Sequence, residues 1–296
     1  MNAHRHEATD ASGAPAPEPR LLGPAEIRDL AAHLGVSPTK KLGQNFVHDA
    51  NTVRRIVQLA EVAPGDVVLE VGPGLGSLTL GLLEAGAHVV AVEIDGRLAE
   101  QLPHTVAVMQ PGTRIDVVHA DALRVTELPA APVRLVANLP YNVSVPVLLH
   151  LLEHFGSLAS GIVMVQAEVG HRLAARPGSK VYGAPSAKAA WYGDWRVAGQ
   201  VSRTVFWPVP NVDSVLVGFA RADDEPGTEA ERKATFAIID AAFQQRRKML
   251  RQALAGVLGG TSSEASAVLE AAGVDPQARG EELGIEQFLA VARAAR

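Results

Sequence analysis

"VVLEVGPGLGSLTL", residues 67 to 80, decides the fold. Val67 to Val71 form an apolar run broken by one acid. Glycines follow at 72, 74 and 76, and an apolar pattern with helical spacing begins at Leu78. The succession is a strand, a glycine-rich turn and the start of a helix. Glycine lets the chain turn sharply and lets a ligand approach where a Cβ would clash. The spacing is G-x-G-x-G, whereas dinucleotide folds use G-x-G-x-x-G, and no Lys-Ser/Thr follows as a phosphate loop requires. A diphosphate is therefore not the favoured ligand, and a plain tight turn is the competing explanation.

Outward from this stretch the pattern repeats. "HVVAVEID", "RIDVVHAD", "VRLVANLP" and "SGIVMVQAEVGHRLA" bring short Val, Ile and Leu runs that end at Gly, Asp or Asn. They alternate with the helix-like "GRLAEQL" and "SVPVLLHLLEHF". Such runs are strands buried on both faces, so the expectation is an α/β fold with an open, mostly parallel sheet. "WRVAGQVS" and "SVLVGFARA" are expected as two further strands, paired antiparallel at the sheet edge. Upstream, "PAEIRDLAAHL" (24–34) predicts a short helix behind Pro24. A polar loop around Gln44 and Asn45 precedes another helix that carries Val53, Ile56 and Val57 on one face. After the acidic turn "ADDEPGTE", the stretch "EAERKATFAIIDAAFQQRRKMLRQALAGVLG" and the rest of the chain read as helical. The expected organisation is a mobile tail over 1–22, a large α/β domain over 23–222 and a small helical C-terminal domain over 223–296.

Composition limits the function classes. The 296 residues are 47% hydrophobic and 20% charged, enough for a full core, and no apolar stretch reaches the length of a membrane span. The N-terminus has no apolar segment of the signal-peptide kind. With no cysteine, disulfides, thiolate zinc sites and cysteine nucleophiles are excluded, which fits a reducing cytoplasm. A net charge of -5 argues against coating nucleic acid by bulk charge but allows a local basic face. Basic residues gather in "HRLAARPGSK", at Lys188, Arg196 and Arg203, and at Arg246, Arg247, Lys248 and Arg251. The last four are the candidate nucleic-acid contacts, a solvated helix face being the alternative. Trp191, Trp195 and Trp207 read as packing residues.

Polar residues close each strand. Glu93 ends "VVAVEID", where a carboxylate accepts hydrogen bonds from both hydroxyls of a ribose. Asp121 ends "VVHAD" and, with the backbone of Ala122, suits an adenine amino group. Asn138 ends "VRLVAN". Each acid alone is equally a helix cap or turn former. Three in order, after the turn at Gly72 and Gly74, point to an adenosyl ligand. The last strand then leaves by "NLPY". An exocyclic adenine N6 is a poor nucleophile because its lone pair is delocalised into the ring. Two acceptors, the Asn138 side-chain oxygen and the Leu139 or Pro140 carbonyl, would bind its N–H groups and favour a tetrahedral nitrogen. Tyr141 would stack on the base, and Pro140 would fix the turn. The competing account is a strand end with a proline turn and a half-buried tyrosine.

"KLGQNFVHD", "EVGPGLGSLT", "VVAVEID", "HADAL", "VANLPYNVSVP", "GSKVYGAPS" and "VFWPVPNVDSVLV" together resemble the ribosomal RNA adenine N6-dimethyltransferases, and "AFQQRRKMLRQAL" resembles their small-subunit (16S) branch. The similarity runs from about residue 40 to 255. It implies a Rossmann-like S-adenosylmethionine-dependent methyltransferase domain with a small helical C-terminal domain. It also implies double methylation of two adjacent adenines in a hairpin near the 3′ end of 16S ribosomal RNA, within the assembling 30S subunit. Implied cofactor contacts fall on Asn45, Val47, Gly72, Glu93, Asp121 and Asn138. The implied target pocket comprises Asn138, Leu139, Pro140 and Tyr141, with Phe206 as second stacking ring. No metal, no membrane and a monomer in the cytoplasm complete the expectation. Val47 stands where the family has leucine, and "SAKAAWYGDW" replaces a more apolar run, which bears on RNA docking near residues 186 to 196. Three alternatives compete: a large-subunit (23S) dimethyltransferase of the macrolide-resistance type, a non-catalytic ribosome-assembly factor of this fold, and a nicotinamide oxidoreductase, for which no hydride-transfer site is visible.

Overall fold

The structure is a computed structural model that describes residues 19–36 and 45–296. Most of the expected tail and the loop around Gln44 lie outside the described residues. The end of the tail is docked: the Arg20 N–H donates to the Met109 carbonyl at 3.0 Å, and Leu22 is buried. The described residues divide into two compact units, the first comprising those up to residue 144 with 201–213, the second 145–200 with 214–296.

The first unit is built on four parallel strands, β2 (Val67–Val71), β3 (His88–Glu93), β4 (Ile115–His119) and β5 (Arg134–Asn138), in the order β4-β3-β2-β5. β2 pairs with β3 from Val67↔His88 to Val71↔Val92 and with β5 at Val68↔Arg134 and Leu69↔Leu135. The chain steps outward from β2 to β4 and then returns to the other side of β2. The crevice at such a reversal, beyond the carboxyl ends of the strands, is where open α/β sheets bind ligands. All four strand ends carrying the predicted site residues reach that edge.

Helices α1 (Pro24–His33), α2 (Ala50–Leu59), α3 (Ser77–Glu84) and α4 (Gly96–Met109) complete this unit. Asp49 caps α2 by accepting the Thr52 N–H at 2.7 Å. A methyl group on Gly81 of α3 would lie 2.3 Å from Val53 Cγ1, so this glycine sets how closely α3 approaches α2. α4 runs seven residues past Leu102, the end of the expected stretch, through Pro103. Leu98, Ala99, Leu102, Thr105, Val106 and Met109 are buried while Pro103 is exposed, so burial of the opposite face carries the helix through the proline. Outside the parallel strands, β1 (Phe46–Val47) pairs antiparallel with β8 (Phe206–Trp207) as a two-residue ribbon.

The second unit contains α5 (Ser144–His154), which begins at the boundary, and β6 (Ser160–Gln166), paired antiparallel with β9 (Ser214–Arg221); β7 (Gly193–Val201) lies beside β9. α6 (Ala167–Leu173) and α7 (Ala184–Ala189) follow β6. The C-terminal helices are α8 (Glu229–Gln244), α9 (Leu250–Ala253), α10 (Ser262–Ala271) and α11 (Ile285–Ala294). Ile239, Leu250, Leu254, Leu269 and Phe288 form one core with Tyr182, whose hydroxyl donates to the Leu283 carbonyl at 2.9 Å. Burial pushes the Tyr182 phenol up to about 12. Trp191 and Trp195 are also buried, their indole N–H groups donating to Glu225 and to the Ala189 carbonyl, so much of the "AKAAWYGDW" segment belongs to the core.

The continuous helix expected over "EAERK…GVLG" does not form. α8 ends at Gln244, Gln245 leaves the helical region at φ -118° and ψ 45°, and α9 starts at Leu250. Leu250 and Leu254 are fully buried, and the N–H groups of Leu250 and Arg251 donate to the carbonyls of Ala278 and Pro276. These tertiary contacts override the helical propensity of "QRRKML". The basic cluster thus lies mainly on a turn, and only Arg251 is helical.

Candidate active site

Three glycines shape the turn after β2, with φ of +66° at Gly72, +59° at Gly74 and +97° at Gly76, values that favour glycine. A methyl group at Gly74 would meet Phe46 Cε1 at 2.8 Å, and one at Gly76 would meet Leu102 Cδ1 at 2.8 Å. At these two positions the absent Cβ makes room for the Phe46 and Leu102 side chains, which pack directly on the turn backbone. Gly76, as the N-cap of α3, has no side chain with which to close that helix.

Glu93 ends β3 and ties the turn down. Its Oε2 accepts the Gly74 N–H at 3.2 Å and its Oε1 accepts the Asp95 N–H at 2.9 Å. The side chain is 5% exposed, and burial pushes its carboxyl above the usual range, against the pull of those N–H groups. The next residue, Ile94, is an apolar side chain left 57% exposed between Glu93 and Asp95. Asp95 caps α4, and Arg97 bonds both Asp95 oxygens and reaches the Gly35 carbonyl at 3.1 Å. Past β4, Asp121 Oδ1 accepts the Leu123 N–H at 2.9 Å, and Arg124 Nε stands 3.9 Å from the other oxygen. Asp121 is thus a turn former, as one of the sequence alternatives had it. A carboxylate has lone pairs left for a further donor. Ala122 is half-buried in the same turn.

Asn138 ends β5 beside the glycine turn, its carbonyl 4.0 Å from where a Gly72 methyl would be. Its Nδ2 donates to the Asn45 carbonyl at 2.9 Å. A carbonyl can only accept, so this contact fixes which amide atom faces Asn45 and turns the Asn138 oxygen the other way. Leu139 is buried, Pro140 and Tyr141 are half-buried, and the Pro140 carbonyl accepts the Val143 N–H at 3.3 Å to close the turn. Asn45 and Val47 approach on the ribbon, in which Val47 pairs with Phe206 and the Phe46 ring stacks on Trp207 at 6.3 Å. Phe206 is 1% exposed. All the candidate residues from Asn45 to Tyr141, with Phe206, belong to the first unit, where direct contacts join Asn45 to Asn138, Val47 to Phe206 and Gly74 to Glu93, and Gly72 lies beside Asn138 and Pro140. Sequence reasoning missed Phe46, Ile94 and the buried Glu70; a lone acid inside "VVLEV" was the signal for the last.

The second unit carries the basic cluster. Arg246 is engaged, donating from Nε to Glu281 at 2.8 Å and from Nη2 to the Lys180 carbonyl at 2.8 Å, whereas Arg247 and Lys248 are exposed. Lys188 pairs with Asp240 at 2.7 Å, and in the first unit Arg203 pairs with Asp213 at 2.6 Å. No group of three or more potential metal ligands occurs among the described residues, and no helix there is long and apolar enough to cross a membrane.

The sequence model described as ribosomal RNA adenine dimethylase matches residues 36–295. The chain belongs to that family. A ribosomal RNA small subunit methyltransferase A of Leifsonia xyli subsp. xyli is 72% identical to this adenine dimethylase over 277 residues, covering 93% of this chain and 99% of its own. The Streptomyces griseus protein of the same name is 62% identical over 275 residues, covering 92% and 94%. Among solved structures, the 23S rRNA methyltransferase ErmE superposes with a TM-score of 0.62 at 26% identity over 84% of this chain and 99% of its own. A dimethyladenosine transferase from Plasmodium falciparum reaches a TM-score of 0.71 at 22% identity, covering 83% and 95%, and shares the fold. The fold of this adenine dimethylase is thus the Rossmann-like α/β fold of RNA methyltransferases.

Proposed function

We propose that this dimethylase methylates N6 of two adjacent adenines twice each in a hairpin near the 3′ end of 16S ribosomal RNA. The reading includes action on the assembling 30S subunit, as a monomer in the cytoplasm and without a metal. Asn138 carries it: the bond to Asn45 points its side-chain oxygen away as an acceptor, beside the turn that suits the cofactor. The relatives' names favour the small subunit, at 72% identity against 26% for the 23S enzyme.

S-adenosylmethionine supplies an electrophilic methyl group. Glu93 is assigned to its ribose hydroxyls, Asp121 and Ala122 to its adenine edge, and Gly72, Gly74, Asn45 and Val47 to backbone contacts. The exposed Ile94 offers an apolar surface for a ring. On the acceptor side, Asn138 Oδ1 and a backbone carbonyl take the two N6 hydrogens, which directs the nitrogen lone pair outward. Leu139 is the preferred carbonyl, because that of Pro140 already receives Val143. Tyr141, which is half-buried, stacks on the base; Phe206, expected as the second stacking ring, is 1% exposed and supports the pocket from the core instead of facing the base. The methylated amine sheds its proton to solvent, so no general base is required.

Small subunits from a strain lacking the modification, incubated with labelled methyl donor, are expected to carry label on two neighbouring adenines. Label confined to large-subunit RNA, or none, would overturn the assignment.

Arg247, Lys248 and Arg251 are assigned to phosphates, while Arg246 holds the turn through Glu281. Replacing those three by Gln is expected to flatten the log-log salt dependence of subunit binding by roughly 2 to 3, at about 0.7 to 0.9 per contact. Donor affinity and the choice of adenines should not change. An unaltered slope on filter binding against salt would make this turn a merely solvated surface.

A further inference from the structure

Glu70 has no role in the chemistry above, yet it is a carboxyl group 1% exposed inside β2, one residue ahead of the strand end that opens the glycine turn. The Thr79 hydroxyl donates to its Oε2 at 2.6 Å. Thr79 is the third residue of α3, a position where backbone N–H groups lack helical partners and the helix end is partially positive. Glu70 therefore closes, from the strand below, the helix start that Gly76 cannot cap. From β3 the charged group facing it is Glu93, with Asp95 beyond; on β5, Arg134 is committed to Asp66 at 2.6 Å and to the Ala60 carbonyl at 3.1 Å. Among the described residues neither Glu70 nor Glu93 has a cationic side-chain partner.

Two buried carboxyl groups beside one turn, with no cation between them, do not both ionise readily. Glu93 has two backbone N–H groups to hold its charge. The proton is therefore retained at Glu70, where burial, reinforced by the Glu93 charge and opposed by Thr79, pushes the carboxyl up to about 8. What the pair lacks is positive charge.

We infer that Glu70 reads the charge of the ligand on the glycine turn, giving up its proton to solvent when the sulfonium-bearing methyl donor binds and taking one back when the uncharged thioether product remains. This rests on the reading that S-adenosylmethionine occupies that turn. The donor carries a sulfonium, an ammonium and a carboxylate, net one positive charge. S-adenosylhomocysteine has lost the sulfonium charge with its methyl group and is net neutral. An ionised Glu70 favours the first over the second, so Glu70 is a positioning residue that also helps the enzyme to discriminate donor from product.

Calorimetric titration of the full chain with each ligand at about pH 7, in buffers of different ionisation enthalpy, counts the protons released. The donor is expected to release most of one proton and the product much less. Donor affinity should rise by up to about tenfold per pH unit below about pH 8. Glu70→Gln, which retains an oxygen acceptor for Thr79, should abolish the difference in proton count and narrow the preference for donor over product. Equal proton release by the two ligands, or a difference that persists in Glu70→Gln, would overturn the inference while leaving the cofactor assignment intact. Failure of the wild-type chain to bind either ligand would instead overturn the cofactor assignment and this inference with it. If Glu70→Gln does not fold, the wild-type comparison of donor with product decides.

Discussion

Asn138→Ala is expected to lower turnover of methyl transfer by roughly 10² to 10³-fold at saturating substrates, the usual effect of removing one preorganised polar group that acts on a developing charge. The adenine N6 gains positive character as it is methylated, and the Asn138 oxygen faces that change only if its nitrogen stays on the Asn45 carbonyl. Alanine deletes the acceptor and leaves the Asn45 carbonyl without that donor, which adds about 1 kcal/mol of local destabilisation. Subunit affinity should hold, because the phosphate contacts assigned to Arg247, Lys248 and Arg251 are untouched. Donor affinity has to be measured in the same variant, since Asn138 borders the glycine turn. Single-turnover kinetics within tenfold of wild type would remove Asn138 from the chemistry.

The parallel strands were legible because each is a short apolar run closed by a polar residue, and parallel neighbours bury both faces. Glu93 and Asn138 close their strands and Gly72 and Asp121 follow theirs, so the candidate cofactor edge could be proposed from strand order alone. The ribbon of β1 and β8 was not legible. Two residues per strand leave no periodicity, and Phe46 and Trp207 meet across most of the chain. Propensity misplaced the end of α8 for a different reason. "QQRRKML" favours a helix locally, yet burial of Leu250 and the Arg246 bond to Glu281 are decided by residues far along the sequence. Glu70 was visible as a charge within an apolar strand, but only the packing of α3 against β2 shows that Thr79 meets it.

Gly74→Ala is expected to impair both halves of the site at once. At φ +59° an alanine is held in the left-handed region, which costs about 1 to 2 kcal/mol. Its methyl group would also press on Phe46 at 2.8 and 3.0 Å, an overpacking of the kind that costs about 1 to 3 kcal/mol. Phe46 is backed by Trp207, so it cannot simply swing aside, and it follows Asn45, whose carbonyl orients Asn138. On the other side, Gly74 donates its N–H to Glu93. Strain at one backbone position thus reaches the proposed ribose anchor through Glu93 and the proposed adenine acceptor through the ribbon. Donor affinity should fall by roughly 10 to 100-fold, and turnover should remain depressed even when donor is saturating. The second site Phe46→Leu separates the two contributions, because it makes room for the methyl group but leaves the dihedral strain in place. In Gly74→Ala with Phe46→Leu, turnover should recover more fully than donor affinity. If the double variant recovers nothing that Phe46→Leu alone retains, the ribbon and the glycine turn are mechanically independent, and Asn45 is not the link between them.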